Sequence, residues 1–116
     1  MRLVAIALVL AAFIAGVLPA VLVTGCGGGS GASQSDRDKA IAAAKFLVAG
    51  RANRDLSGGP CLSESLPGLS DWAVDVAHDP RQAVDEVPTN QCASVRAGQV
   101  HHFVELTPGG QLIRAQ

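Results

Sequence analysis

A chain of 116 residues, 48% hydrophobic and 16% charged, has room for one small domain and one modest core. Nine basic and ten acidic side chains leave a net charge of −1 with no block of like charge, so no nucleic-acid footprint is present and no nucleic-acid partner is expected. Once an apolar N-terminus and a glycine-rich stretch are set aside, about 80 residues remain to build the fold.

In chain order the first element is a targeting segment. Arg2 supplies a positive flank, Leu3 to Leu18 is continuously apolar, and Pro19 interrupts any helix before the small residues Thr24 and Gly25. Leu3 to Val23 is also about the ~20 residues that span a bilayer, so hydropathy leaves an uncleaved signal anchor open beside a cleaved signal peptide. In both topologies Arg2 favours a cytoplasmic N-terminus and puts the rest of the chain outside the cytoplasm.

The end of the segment carries more specific chemistry. Leu22-Val23-Thr24-Gly25-Cys26 resembles the lipobox of bacterial lipoprotein precursors, with Val23 where leucine is commonest. The resemblance implies that Cys26 is thioether-linked to diacylglycerol and that signal peptidase II cuts between Gly25 and Cys26. It implies a protein anchored by lipid to the bacterial cell membrane and facing the extracytoplasmic side. The resulting organisation is a signal peptide over 1–25, a Gly/Ser-rich tether over 26–35 and a small extracytoplasmic domain over 36–116. A tether of about ten such residues has an r.m.s. reach of roughly 16–19 Å, which holds the domain close to the bilayer.

Ser35-Asp36-Arg37-Asp38 has the form of a capping box, with acidic residues in the first turn, and predicts a helix start. Ala40, Ile41, Ala44, Leu47 and Val48 then recur at helical spacing, and Arg37, Lys45 and Arg51 fall largely off that stripe. The helix is expected to end between Gly50 and Asp55, because Ser57-Gly58-Gly59-Pro60 cannot continue it. Its apolar stripe is expected to cover a sheet.

Period-two alternation takes over downstream. In Trp72 to His78, Trp72, Val74 and Val76 share a face and Asp75 points away, as in a half-buried strand. Gln99 to Thr107 places Val100, His102, Val104 and Leu106 on one face, and Pro108-Gly109-Gly110 predicts a tight reversal into Gln111 to Ala115. Asp79 to Gln91, with Pro80 and Pro88, reads as a long irregular connection. The order predicts an α+β domain, with one N-terminal amphipathic helix on a small antiparallel sheet of about three strands.

With Cys26 assigned to lipid, Cys61 and Cys92 form an even pair in an oxidising compartment and are expected to be joined. Their spacing is not that of a CxxC redox motif or a Cys/His metal cluster.

No GxSxG, HExxH, P-loop or dinucleotide fingerprint occurs, and the glycine runs lack the strand and helix such motifs need. The sequence therefore implies no cofactor, no metal and no catalytic residue. His78, His101 and His102, with Asp75, Asp79 and Glu105 nearby in sequence, are the remaining chemistry-bearing residues. Strand alternation predicts that His101 and His102 face opposite ways, leaving at most one for any site. Ser63 and Ser65 read as loop residues. The favoured reading is a non-enzymatic, lipid-anchored envelope protein that binds a small ligand or another envelope protein, or plays a structural part. The alternative is a small extracytoplasmic metal-binding protein or enzyme using His78 and His102.

Overall fold

The computed structural model describes residues 31–116; the lipobox, its cleavage site at Gly25 and Cys26, and the first half of the tether lie outside the described residues. Among the described residues no helix is long and apolar enough to cross a membrane.

Helix α1 spans Gln34–Ala49. Its cap is Ser33, whose Oγ accepts the Asp36 N–H at 3.0 Å. The cap therefore sits at Ser33, two residues earlier than Ser35 and inside the stretch read as tether. A serine is available at both positions, and the earlier one puts Asp36 in the first turn. Gly50 ends the helix, with its N–H returning to the carbonyls of Phe46 and Val48. Ala40, Ala44 and Val48 are buried, Ile41 and Leu47 are partly buried against them, and Phe46 stands out at 79% exposure.

The fold is α+β around a four-stranded sheet of β1 (Cys61–Ser63), β2 (Trp72–Val76), β3 (His102–Leu106) and β4 (Leu112–Ala115), in that spatial order. The outer pairs are antiparallel, but β2 and β3 are parallel, with Trp72 opposite His102 and Val76 opposite Leu106. This corrects the expected antiparallel sheet of about three strands. Alternation reports which face a residue occupies and not strand direction, and residues 77–101 are long enough to cross one face and re-enter at the same end. β1 escaped detection because three residues beside Gly59-Pro60 are too few to show a period.

The crossover is ordered into two 3₁₀ turns, Ala83–Glu86 and Pro88–Asn90, and a short helix α2, Ala93–Arg96. The peptide bond Asp79–Pro80 is cis. Between β3 and β4 the Thr107 carbonyl accepts the Gly110 N–H at 2.8 Å, closing the reversal predicted at Pro108-Gly109. Leu106 pairs with Leu112 and Glu105 with Arg114, so the ladder skips Ile113.

Both faces of the sheet are covered, so β2 is nearly fully buried instead of half-buried. On one face Trp72, Val74, Val76, Val104, Leu106 and Ala115 meet the small side chains of α1. The Arg37 guanidinium ties the helix to β4 by donating from Nε to the Ala115 carbonyl at 3.0 Å. On the other face Ala73 packs with Cys92 and Val100, and Cys61, Val95 and Phe103 lie around them. Val100 thus belongs to the second face and not with Val104 and Leu106. The strand begins only at His102, so the alternation cannot be extended back through His101.

Cys61 and Cys92 form a disulfide with a Cα–Cα distance of 4.9 Å, joining edge strand β1 to the residue that begins α2. Glu64 reinforces the same junction: its carboxylate accepts the Ala93 and Ser94 N–H groups at 3.0 and 2.8 Å. Those bonds, the Ser94 amide first, hold its carboxyl below the usual range despite some desolvation.

Candidate functional site

The second face of the sheet carries charge as well as apolar contacts. Because β2 and β3 are parallel with Asp75 opposite Glu105, two carboxylates stand side by side on the face that the crossover covers. Phe103 lies on the same face of β3, and Arg114 joins from β4 opposite Glu105.

Glu105 is 3% exposed and is held by two guanidiniums, Arg114 Nε at 2.6 Å and Arg81 Nη1 at 2.9 Å. Arg81 also pairs with Glu86, and these two acidic partners push its pKa up. Arg114 lies 4.9 Å above the Phe103 ring, a cation–π contact. These groups, with Asp75, Gln91, Cys92, Val95 and Arg96, bound a half-open recess of about 170 Å³. An apolar cavity of ~150 Å³ accommodates a benzene-sized group, so the recess fits one small chemical group.

Among the described residues, Asp75 has no cation at hydrogen-bond distance. One of its oxygens accepts the Val76 N–H at 3.0 Å. Burial, and then the neighbouring Glu105 charge, pushes its carboxyl up to about 7, with the Val76 amide and Arg81 opposing. Because the folded state holds this proton more tightly than the unfolded chain, the protein binds an extra proton between the ordinary value of 3.8 and about 7. Stability contributed by the site is then present at low pH and lost as pH rises through that window, by up to ~1.4 kcal/mol per pH unit. Asp75→Asn is expected to flatten that slope and to raise Tm above wild type at pH 8. Thermal melts from pH 5 to pH 8 check this, and identical slopes would refute it.

At the end of β2 beyond Val76, Asp85 is 3% exposed and anchors the crossover. Its Oδ2 accepts the backbone N–H groups of His78 and Gln82 at 3.0 and 2.8 Å, and its Oδ1 lies 2.9 Å from His78 Nδ1. Gly59 permits this approach, because at φ +64° a Cβ there would lie 2.7 Å from Asp85 Oδ1.

At the opposite end, Asp71 accepts both the backbone N–H and the ring Nδ1 of His101 on Oδ1, at 2.9 and 2.7 Å. His102 Nε2 lies 3.7 Å from its other oxygen, with the ring stacked on Trp72 at 5.0 Å between centroids. The His101 amide, then its ring, hold the Asp71 carboxyl below the usual range. Both histidines therefore meet one carboxylate, which corrects the expectation that alternation would separate them. His101 precedes the strand and is free of its alternation.

His78 and His102 are not brought together. His102 pairs with Trp72, and His78 lies six residues further along the chain, two past the end of β2, which is ~20 Å at ~3.3 Å per residue. Asp79 is exposed beside the cis bond. The Ser63 and Ser65 hydroxyls donate to the carbonyls of Ser65 and Ser70 within the β1–β2 connection, although Ser63 itself ends β1. Among the described residues, Cys61, Glu64 and Cys92 bring ligand-type atoms within 4.8 Å of one another, but both sulfurs are spent in the disulfide and the carboxylate caps α2.

Sequence reasoning passed over Asp71, Asp85, Arg81 and Arg114. Of these only Arg114 had a usable signal: a hairpin turning at Pro108-Gly109 brings it opposite Glu105. These features define a disulfide-stapled α+β domain with a charged recess on the sheet face away from its helix. No protein-family model, no curated protein and no solved structure matches the chain.

Proposed function

We propose that this protein is a lipid-anchored envelope protein on the extracytoplasmic side of a bacterial membrane, acting as a non-enzymatic binding module. The observation that carries the compartment is the Cys61–Cys92 disulfide, which persists in oxidising compartments and is rare in the cytosol. Cys26, left over from that pair and standing directly after Leu22-Val23-Thr24-Gly25, is the residue to which diacylglycerol is attached. The binding role rests on the recess over Asp75 and Glu105, where an apolar wall of Phe103 and Val95 adjoins the guanidiniums of Arg96 and Arg114.

Cys26→Ser is expected to abolish incorporation of a fatty-acid analogue and to leave the precursor unprocessed or released from the membrane. Metabolic labelling of cells expressing either form decides the matter. Equal label in both would overturn the lipoprotein reading in favour of the uncleaved signal anchor.

A further inference from the structure

We propose that the solvent face of α1, centred on Phe46, seats on the surface of an anionic bilayer; this rests on the lipid-anchor reading above. Phe46 is 79% exposed, whereas the other exposed large hydrophobics among the described residues, Val87 and Leu112, reach only 41% and 39%. A phenyl ring in water, on a helix that turns Ala40, Ala44 and Val48 to the core, is not there for the core. Ala42 and Ala49 are exposed along the same flank, giving an apolar strip on the outside of the helix.

Charge surrounds that strip. From Lys39 to Arg54 the chain carries Lys39, Lys45, Arg51 and Arg54 and no carboxylate, although its overall charge is −1. Lys39, Lys45 and Arg54 are exposed, and Arg54 borders the same hollow as Phe46, Leu47 and Gly50. Arg51 is half-buried and turns inward to the Leu47 and Leu62 carbonyls. The acidic neighbours lie outside the strip: Asp36 pairs with Lys39, Asp38 accepts from Gln34, and Asp55 accepts the Ser57 N–H. A cationic surface with one exposed aromatic group matches anionic headgroups over an acyl boundary.

The position of the anchor selects the bilayer over other occupants. Six residues separate Cys26 from Ser33, and the seven steps between them span at most ~25 Å however the chain is arranged. Helix α1 is itself ~24 Å long at ~1.5 Å per residue for its 16 residues. An acyl-linked Cys26 therefore keeps the whole helix within reach of the headgroups, and a weak surface becomes an intramolecular contact of high effective concentration.

The test uses the full-length acylated chain in vesicles whose lipids carry brominated acyl chains, with Phe46→Trp as the reporter. Wild type, whose single tryptophan Trp72 is 3% exposed, supplies the background. In phosphatidylglycerol/phosphatidylcholine vesicles the new indole is expected to lose about half its emission or more, and in phosphatidylcholine alone to lose little. Adding Lys45→Glu and Arg54→Glu is expected to return it to the phosphatidylcholine level. A chain that floats with the vesicles and carries acyl label, but whose indole is unquenched, overturns the docking and leaves the anchor intact. Equal quenching in both lipids, or quenching insensitive to the charge reversals, also overturns it. A chain without acyl label that does not float overturns the anchor and the docking together.

Discussion

Reducing the Cys61–Cys92 bridge is expected to lower the thermal midpoint by roughly 15–25 °C. A separation of 31 residues closes a loop whose entropy is worth ~3–4 kcal/mol against the unfolded chain, and a domain this size shifts by ~4–8 °C per kcal/mol. The bridge also has local work: β1 has three residues and lies at the sheet edge, and Cys92 is buried beside Ala73 and Val100. Without the bond both ends of the crossover's anchorage loosen together. Calorimetry of the full chain in detergent, with and without a thiol reductant, reads the shift, and Cys61→Ala/Cys92→Ala is expected to melt where the reduced protein does. The reductant does not cleave the thioether proposed for Cys26. A shift under about 5 °C would show that the core supports the domain unaided.

Asp85→Ala is expected to destabilise the protein by about 3 kcal/mol, whereas Asp85→Asn is expected to cost about 1 kcal/mol. The alanine leaves the part-buried His78 and Gln82 N–H groups without their acceptor, at ~1–3 kcal/mol each. Both of those bonds fall on Oδ2, so an asparagine carbonyl can take both and turn its amide toward His78 Nδ1, reversing only the donor and acceptor roles there. Urea titration monitored by far-UV circular dichroism separates the two variants. Equal losses would mean that the carboxylate charge, and not backbone satisfaction, fixes the crossover.

Acid adds a second reading. Burial raises the Asp85 carboxyl, but the Gln82 and His78 bonds outweigh it and leave the group below its ordinary value. Its stabilisation is present above the unfolded value and is lost as pH falls through the folded one, a slope opposite to that of Asp75 and removed in Asp85→Asn.

Much of the sheet was legible because a strand between apolar layers must alternate. Trp72, Val74 and Val76 were placed on one face and Asp75 on the other, as found. The disulfide was legible from parity, because setting Cys26 aside leaves Cys61 and Cys92 as an even pair. Direction was not, since the parallel pairing of β2 and β3 depends on where residues 77–101 travel, and that path runs through two 3₁₀ turns and α2. The charged recess was hidden for the same reason. Glu105 becomes a paired buried carboxylate only when the crossover delivers Arg81 and the hairpin delivers Arg114. Asp71 and Asp85 act through backbone amides in irregular segments, where no periodicity marks them.

The two outer strands have one more consequence. β1 has three residues with a break in its pairing at Leu62, and β4 has four residues with a skip at Ile113. The inward bonds of the β4 end are already taken, Phe103 and Gln116 exchanging N–H and carbonyl at 2.8 and 3.1 Å. Neither rim offers the long, flat row of free amides that recruits a strand from another molecule. Copies of this domain therefore lack an edge-to-edge route by which one sheet would extend into the next.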